Sequence, residues 1–458
     1  MEIKSLVAGR IQETYNLHSR YVNPQFVRVL KAISFNRNYV SGKGARLTDS
    51  EGREVLDFLA GFGVFNIGRN HPGVARVLKE MLDLDTPNLV QMDVGCISGL
   101  LAEALAKIAP GDMEAVFFTN SGTEGVEGAL KFARQATKRS KIVYCRRAFH
   151  GLTLGSLSVC GAKEFRARNE PLLPGCTQVE FNDLEKLESE LKREDVAAFI
   201  VEPIQGKGVF VPDDDYLPGV RSLCDKYGTL LIADEVQTGL GRTGRMFAVE
   251  HWGVEPDILV VSKALSGGYN PVGAIITTRD IHAKVFDSME RCYAHSNTFG
   301  QNDLAMAAGL AALSVLGEEN LVHRAAERGA QIMEGLNELA ARYELLGEVR
   351  GKGLMIGMQF VEPASMFLKT GWKLLHKMNP DLFAQMITVP LLQKYDILTQ
   401  VAGQGLDTVK ILPPLVITKA DADYFLESMD KVLKDVHRFP GSAWTTAKNL
   451  AIRTAKSL

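Results

Sequence analysis

Six short apolar runs, with helix-forming text between several of them, constrain this chain's fold more than any other feature. They are Ala115–Phe118, Lys141–Cys145, Ala197–Val201, Thr229–Ala233, Ile258–Ser262 and Val272–Ile276. Each is too short for a helix and lacks the apolar–polar alternation of a strand with one wet face. Such runs read as strands buried on both faces. Strands of this kind alternating with helices predict an α/β fold, a mostly parallel central sheet with helices on both sides. Helices are expected over 99–108 and 124–139, and a helix-rich region over 302–343. The text then changes: Glu348–Phe360, a helical stretch over 366–395, Asp407–Leu412 and a last helix from Lys419. We expect residues 56–340 to form a large domain, with segments 1–55 and 341–458 combining in a smaller α+β domain. The slightly basic tail from Ser442 reads as a solvated or subunit-contacting helix.

A chain of 458 residues has room for two such domains. Lys and Arg (52) against Asp and Glu (54) leave a net charge of −2, too little field to hold a polyanion, so nucleic acid is not the expected partner. The six cysteines show no CxxC pair and no metal-ligand spacing; they read as scattered core thiols of a reducing compartment. The N-terminal text mixes acids and bases without a long apolar stretch, unlike a signal peptide. The longest charge-free apolar run late in the chain, Leu382–Gln393, contains Pro390 and falls short of the roughly 20 residues a membrane span needs. The cytoplasm is the expected compartment.

In open parallel sheets, ligands sit beyond the carboxyl ends of the strands. Those ends here deliver Asn120-Ser121-Gly122-Thr123, Ala148-Phe149-His150-Gly151, Glu202-Pro203, Asp234-Glu235-Val236-Gln237 and Lys263. One rim thus collects a small-residue turn opening a helix, an aromatic ring, acids and a lysine. Together they suit an aromatic phosphate ester that carries an aldehyde. Backbone N–H groups of Gly122 and Thr123 at a helix N-terminus would bind the phosphate, helped by the Ser121 and Thr123 hydroxyls. Phe149 would stack on the ring. Asp234 would keep the ring nitrogen protonated, Gln237 would hydrogen-bond the ring hydroxyl, and Lys263 would form a Schiff base and carry protons. Taken singly, each residue has a blander reading as a cap, a core ring or a solvated lysine; their co-occurrence on one rim is what points to a site. The run Gly239-Leu240-Gly241-Arg242-Thr243-Gly244 satisfies a dinucleotide-binding pattern. It neither leads directly into a long helix nor has the later acid such a site needs, so it is expected to shape a loop beside the cofactor or a subunit interface.

With those motifs in hand, the chain resembles the class III pyridoxal-phosphate aminotransferases of fold type I, the group with putrescine, ornithine, acetylornithine and 4-aminobutyrate aminotransferases. The likeness runs from about Asn23 to Leu433 and includes Ser121-Gly122-Thr123-Glu124, Phe149-His150-Gly151, Glu202-Pro203-Ile204-Gln205-Gly206, Asp234-Glu235-Val236-Gln237, Ser262-Lys263-Ala264-Leu265, Thr298-Phe299-Gly300 and Arg350-Gly351-Lys352-Gly353. The segment Phe58–Pro72 is most similar to the putrescine-type members. The resemblance implies pyridoxal 5'-phosphate as cofactor, Lys263 as its Schiff-base lysine and Asp234 as the partner of its ring nitrogen. Ser121, Gly122, Thr123, Phe149, His150, Glu202 and Gln237 complete the cofactor set, with His150 open between a structural role and a pocket wall. Thr298 matches a residue that reaches the neighbouring subunit's phosphate, which implies a homodimer with shared sites.

The departures from the family bear on substrate. An arginine that binds substrate carboxylate in many members is Leu152 here. A gating glutamate is Lys207, and the mobile arginine it gates is Lys410. Lysine does not reproduce the guanidinium's carboxylate-binding fork, leucine binds no carboxylate, and Lys207 facing Lys410 would repel it. Phe62, Val64 and Phe65 are expected at the pocket mouth. The expected reaction is a ping-pong transfer of an amino group between a primary terminal amine with an apolar or aliphatic chain and an oxo acid or aldehyde. A diamine or omega-amino acid aminotransferase using 2-oxoglutarate, or a racemase or aminomutase of the same fold, stays open beside it.

Overall fold

A computed structural model describes residues 1–380, 382–441, 443–445 and 447. Helices Ile3–Arg10, Thr14–Tyr21 and Pro24–Ala32 lead into the strands Tyr39–Lys43 (β1), Arg46–Asp49 (β2) and Glu54–Asp57 (β3). Pro24 starts its helix behind Asn23, whose side chain accepts from the Gln25 and Phe26 amides. That is the cap such a sequence dictates, since proline lacks the donor the first turn leaves unused.

The central sheet is built from Ala115–Thr119 (β4), Lys141–Cys145 (β5), Cys176–Val179 (β6), Val196–Val201 (β7), Leu230–Asp234 (β8), Ile258–Val261 (β9) and Gly273–Thr277 (β10). Its order is β4-β10-β9-β8-β7-β5-β6. All neighbours are parallel except β10, which runs antiparallel to both β4 and β9. Every residue of β7, β9 and β10 is buried, as the unbroken apolar runs require. The strand β6 was not expected from sequence: as an edge strand it reads Cys-Thr-Gln-Val and only Val179 is fully buried. The helix Gly122–Thr137 lies unusually close to the sheet. A methyl on Gly125 would come within 2.8 Å of Val260, and one on Gly128 within 2.4 Å of Ile275.

The C-terminal part carries Leu346–Lys352 (β11), Met355–Phe360 (β12), Ile397–Leu398 (β13), Gln400–Val401 (β14) and Thr408–Ile411 (β15). A second sheet runs β11-β12-β15-β14, and β13 joins the N-terminal strands by pairing in parallel with β3. The helices Leu321–Arg342 and Lys419–Val436 pack on each other, and the first also packs on β11. Pro390 sits inside the buried helix Leu382–Tyr395. No single helix among the described residues is long and apolar enough to cross a membrane.

Some expectations are corrected. Of the six cysteines, Cys145, Cys160 and Cys224 are core thiols, but Cys96 and Cys292 are exposed at a helix start and a short helical turn's end, and Cys176 is half-buried on the edge strand. The glycine run 239–244 docks on the C-terminal part of its own chain. Gly241 (φ +86°) faces Leu415 and Val322, and Gly244 (φ +82°) abuts Ala326, conformations and approaches that a side chain would not permit. The expected tail helix from Ser442 falls mostly outside the described residues.

Candidate active site

Parallel strands ending side by side bring their terminal residues to one rim, and β7 and β8 lie next to each other with β9 beyond. Asp234 ends β8 almost completely buried. Its Oδ2 receives the Nδ1–H of His150 at 2.7 Å and its Oδ1 receives the Val236 amide at 3.0 Å. The His150 side chain is fully buried and its Nε2 has no protein partner. This contact supports the structural role left open for His150, that of holding Asp234. A carboxylate gripped by a histidine and an amide cannot swing.

Glu202, just beyond β7, is also buried and bridges two loops: Oε1 accepts from the Phe149 amide at 2.9 Å and Oε2 from the Gly206 amide at 2.8 Å. Burial raises its pKa, opposed mainly by the charge of His150. Its visible work is to place Phe149, whose ring meets Phe165 edge-on with centroids 5.3 Å apart.

Lys263 follows β9 with φ +42°, a left-handed conformation that is costly for a residue with a side chain. Its amine makes no hydrogen bond or ion pair among the described residues. Burial lowers its pKa, and the charges of Asp234 and Glu202 partly restore it. At the opposite side of the rim, Ser121 caps the helix Gly122–Thr137 by accepting from the Glu124 amide, leaving the Gly122 and Thr123 N–H groups at its first turn. The Thr123 hydroxyl joins those of Thr153 (2.8 Å) and Ser156 (2.6 Å), an arrangement with no sequence signal, and a methyl on Gly151 would fall 2.3 Å from it.

The expected substrate residues are dispersed more than the sequence suggested. Lys410, on β15, is buried and donates to Gly206 O at 2.7 Å and to Gln237 Oε1 at 3.3 Å. Burial, then the neighbouring Lys263, pushes its pKa down to about 7. Lys207 does not face it. Lys207 pairs instead with Glu164 and lies over the Phe165 ring, because an acid from another loop is within reach and relieves the repulsion. Gln237 donates to Phe62 O at 3.0 Å, so with Lys410 on its oxygen the amide is spent at both ends and keeps a single free N–H. Phe62 and Leu152 are each more than half exposed, and Val64 is half-buried. The Phe65 ring lies under the Arg69 guanidinium (4.0 Å to the ring centroid) and close to Gly61 and Gly268. Thr298 is exposed, its carbonyl held by Gln91, and within one chain it joins none of the other site residues.

A family model described as Aminotransferase class-III matches residues 31–433. The chain is a class-III aminotransferase. It is 40% identical over 451 residues to a putrescine aminotransferase of Pectobacterium atrosepticum, covering 94% of this chain and 90% of the relative. It is 35% identical over 460 residues to Aminotransferase PigE of a Serratia species, covering 93% of this chain but only 54% of that longer protein. Among solved structures it is similar to ornithine aminotransferase from Toxoplasma gondii, with a TM-score of 0.77, 32% identity, and coverage of 87% of this chain and 90% of that one. Class-III aminotransferases depend on pyridoxal 5'-phosphate. The residues present fit that group. An amine without a partner stands near a fixed, buried carboxylate, and a helix start with free N–H groups lies beyond, matching aldehyde, ring nitrogen and phosphate.

Proposed function

We propose that this class-III aminotransferase moves an amino group between a primary terminal amine with an apolar or aliphatic chain and an oxo acid or aldehyde, in ping-pong fashion. The observation that carries the amine preference is the lack of a ready carboxylate clamp beside Lys263: Leu152 stands at the wall, Lys207 is engaged by Glu164, and Lys410 is spent on Gly206 and Gln237. An unpaired carboxylate there would be costly to desolvate. A diamine reading is the alternative, favoured by the 40% identity to a putrescine aminotransferase.

When bound, pyridoxal phosphate supplies an aldehyde for amine exchange and a ring that draws electrons from the amine-bearing carbon. The chain's own residues do the rest. Asp234, held by His150 and the Val236 amide, fixes a negative charge against the ring nitrogen. Phe149, placed by Glu202, covers one ring face. Gly122 and Thr123 offer N–H groups to the phosphate. Lys263, with its lowered pKa, would take the proton from the amine-bearing carbon and deliver it to the carbon that was the cofactor's aldehyde. This reading assigns cofactor binding to residues 56–340 and a closing wall to segments 1–55 and 341–458. It also takes the working unit as a cytoplasmic homodimer, with the exposed Thr298, whose carbonyl accepts from Gln91, turned to a second copy.

A half-reaction panel tests the substrate. Alkyl monoamines and putrescine are expected to bleach the cofactor's absorbance faster than ornithine or 4-aminobutyrate; fast bleaching by the latter two with none by monoamines would overturn the reading. A pH profile tests Lys410. Above about 7 it is neutral, and below that it becomes a cation beside Lys263, repelling an ammonium substrate. The kcat/KM is therefore expected to fall as pH drops through about 7, and Lys410→Met is expected to lose that limb.

A further inference from the structure

Arg242, inside the glycine run that no part of the reaction uses, is fully buried without a carboxylate of its own. The one acid whose charge raises its pKa, Asp57, is already taken by Arg69 Nε and by the Leu59 and Ala60 amides. A guanidinium buried among neutral acceptors is costly, so its position has a purpose beyond packing. Its donors reach Leu354 O at 3.0 Å, Pro413 O at 2.5 Å and Asn66 Oδ1 at 2.6 Å.

Those acceptors belong to three separate segments. Asn66 ends the strip carrying Phe62 and Val64, Leu354 lies in the turn between β11 and β12, and Pro413 follows Lys410 by three residues. Asn66 reinforces the junction, donating to Leu240 O at 2.8 Å while its own carbonyl accepts the Leu415 amide at 2.7 Å. On the substrate side, the strip and the Lys410 strand meet again at Gln237, which binds Phe62 O and Lys410 together. The two edges of the proposed amine pocket are therefore pinned twice, by Gln237 in the site and by Arg242 behind it. None of these contacts touches Asp234, His150, Glu202, Ser121 or Thr123.

We propose that Arg242 is the positioning residue that fixes the spacing between the 61–66 strip and the Lys410 strand, and thereby sets which amines the pocket holds. This rests on the amine-pocket reading above. The guanidinium serves its three acceptors from two separate nitrogens, Nη1 and Nη2; a lysine at 242 has all its donors on one nitrogen and cannot cover both positions.

The test uses the full-length holoenzyme with Arg242→Lys and, should that variant fold poorly, Asn66→Ala, which removes one leg of the junction and keeps the guanidinium. Three readouts are taken: the cofactor dissociation constant by absorbance titration, half-reaction kinetics with hexylamine and with putrescine, and hydrogen exchange by segment. Arg242→Lys is expected to raise KM for the preferred amine about tenfold with kcat nearly unchanged, the signature of lost uniform binding. Cofactor affinity is expected to stay within about threefold, and exchange to rise in 58–66 and 410–415 but not in 119–151, 230–236 or 258–263, as local opening confined to one cooperative unit would give. Unchanged exchange in those two strips, or cofactor loss in proportion to the rise in KM, would overturn the proposal. Wild-type protein that bleaches with neither amine would sink the amine reading instead, while the exchange pattern still decides the role of Arg242.

Discussion

Lys263→Ala is expected to eliminate amino transfer, with kcat/KM lower by about four orders of magnitude or more, the upper range for removing a positioned general base that is also a covalent partner. The structure gives reasons for an effect of this size. The Lys263 amine has no protein partner to lose, so its removal does not unravel a network. Its backbone sits at φ +42°, a cost the fold tolerates only where geometry at that point matters. Burial lowers its pKa while Asp234 and Glu202 hold it partly up, so the amine gives up its proton more readily than a lysine in water. No other group is poised to stand in. Lys410 is the nearest second amine, but its hydrogens are directed at Gly206 O and Gln237 Oε1. Borohydride should fix the cofactor covalently to the wild-type protein and leave it releasable from Lys263→Ala. A variant retaining a tenth of wild-type transfer would remove the central assignment.

Much of this was legible before any coordinates. An apolar run with no alternation has one stable solution, a strand covered on both faces, so β5, β7, β8, β9 and β10 and the rim they define follow from text alone. The residues standing at the ends of those runs then share one rim, which is why Asp234, Glu202 and Lys263 could be proposed together. The edge strand β6 was missed because an edge needs no apolar run. Side-chain direction was less readable. Lys207 and Lys410 looked like a repelling pair because sequence gives charge and not bearing; Glu164, remote in the chain, supplies the missing acid. The cation that covers the Phe65 ring, Arg69, was likewise not readable from its neighbours Phe62 and Val64. Arg242 was passed over with the glycines around it, since nothing local marks a residue whose partners are 112, 171 and 176 positions away.

The arrangement also separates two tasks. The groups proposed to face the cofactor come from loops at the ends of the central strands, tied by short bonds among themselves: His150 to Asp234, Glu202 to Phe149 and Gly206, Thr123 to Thr153 and Ser156. The groups proposed to face the substrate come from the strip that carries Phe62 and Val64 and from β15. Substitutions in the first set should alter the cofactor's spectrum, whereas those in the second should alter which amine changes it.

Asp234→Asn supplies the sharpest test of the first set. The carboxylate offers its two oxygens to two donors, His150 Nδ1–H and the Val236 amide. An asparagine can place its oxygen toward only one of them, so its NH2 must confront the other. His150 can answer by shifting its proton to Nε2, the buried atom that has no partner now; the fold should survive, at a cost of about 1–3 kcal/mol for the disturbed buried bonds. What does not survive is the negative charge against the ring nitrogen. Preorganised charge in a water-excluded site is worth about two to three orders of magnitude per group, and here it governs the ring's ability to draw electrons at all, so amine half-reaction rates are expected to fall about a thousandfold or more. Cofactor affinity should weaken far less, because the residues that would hold the phosphate, Gly122 and Thr123, and the lysine that would join the aldehyde, Lys263, are untouched. His150→Asn should show the same defect in milder form, since it loosens the carboxylate without neutralising it. Rates within tenfold of wild type in Asp234→Asn would mean that this acid is not the ring's partner.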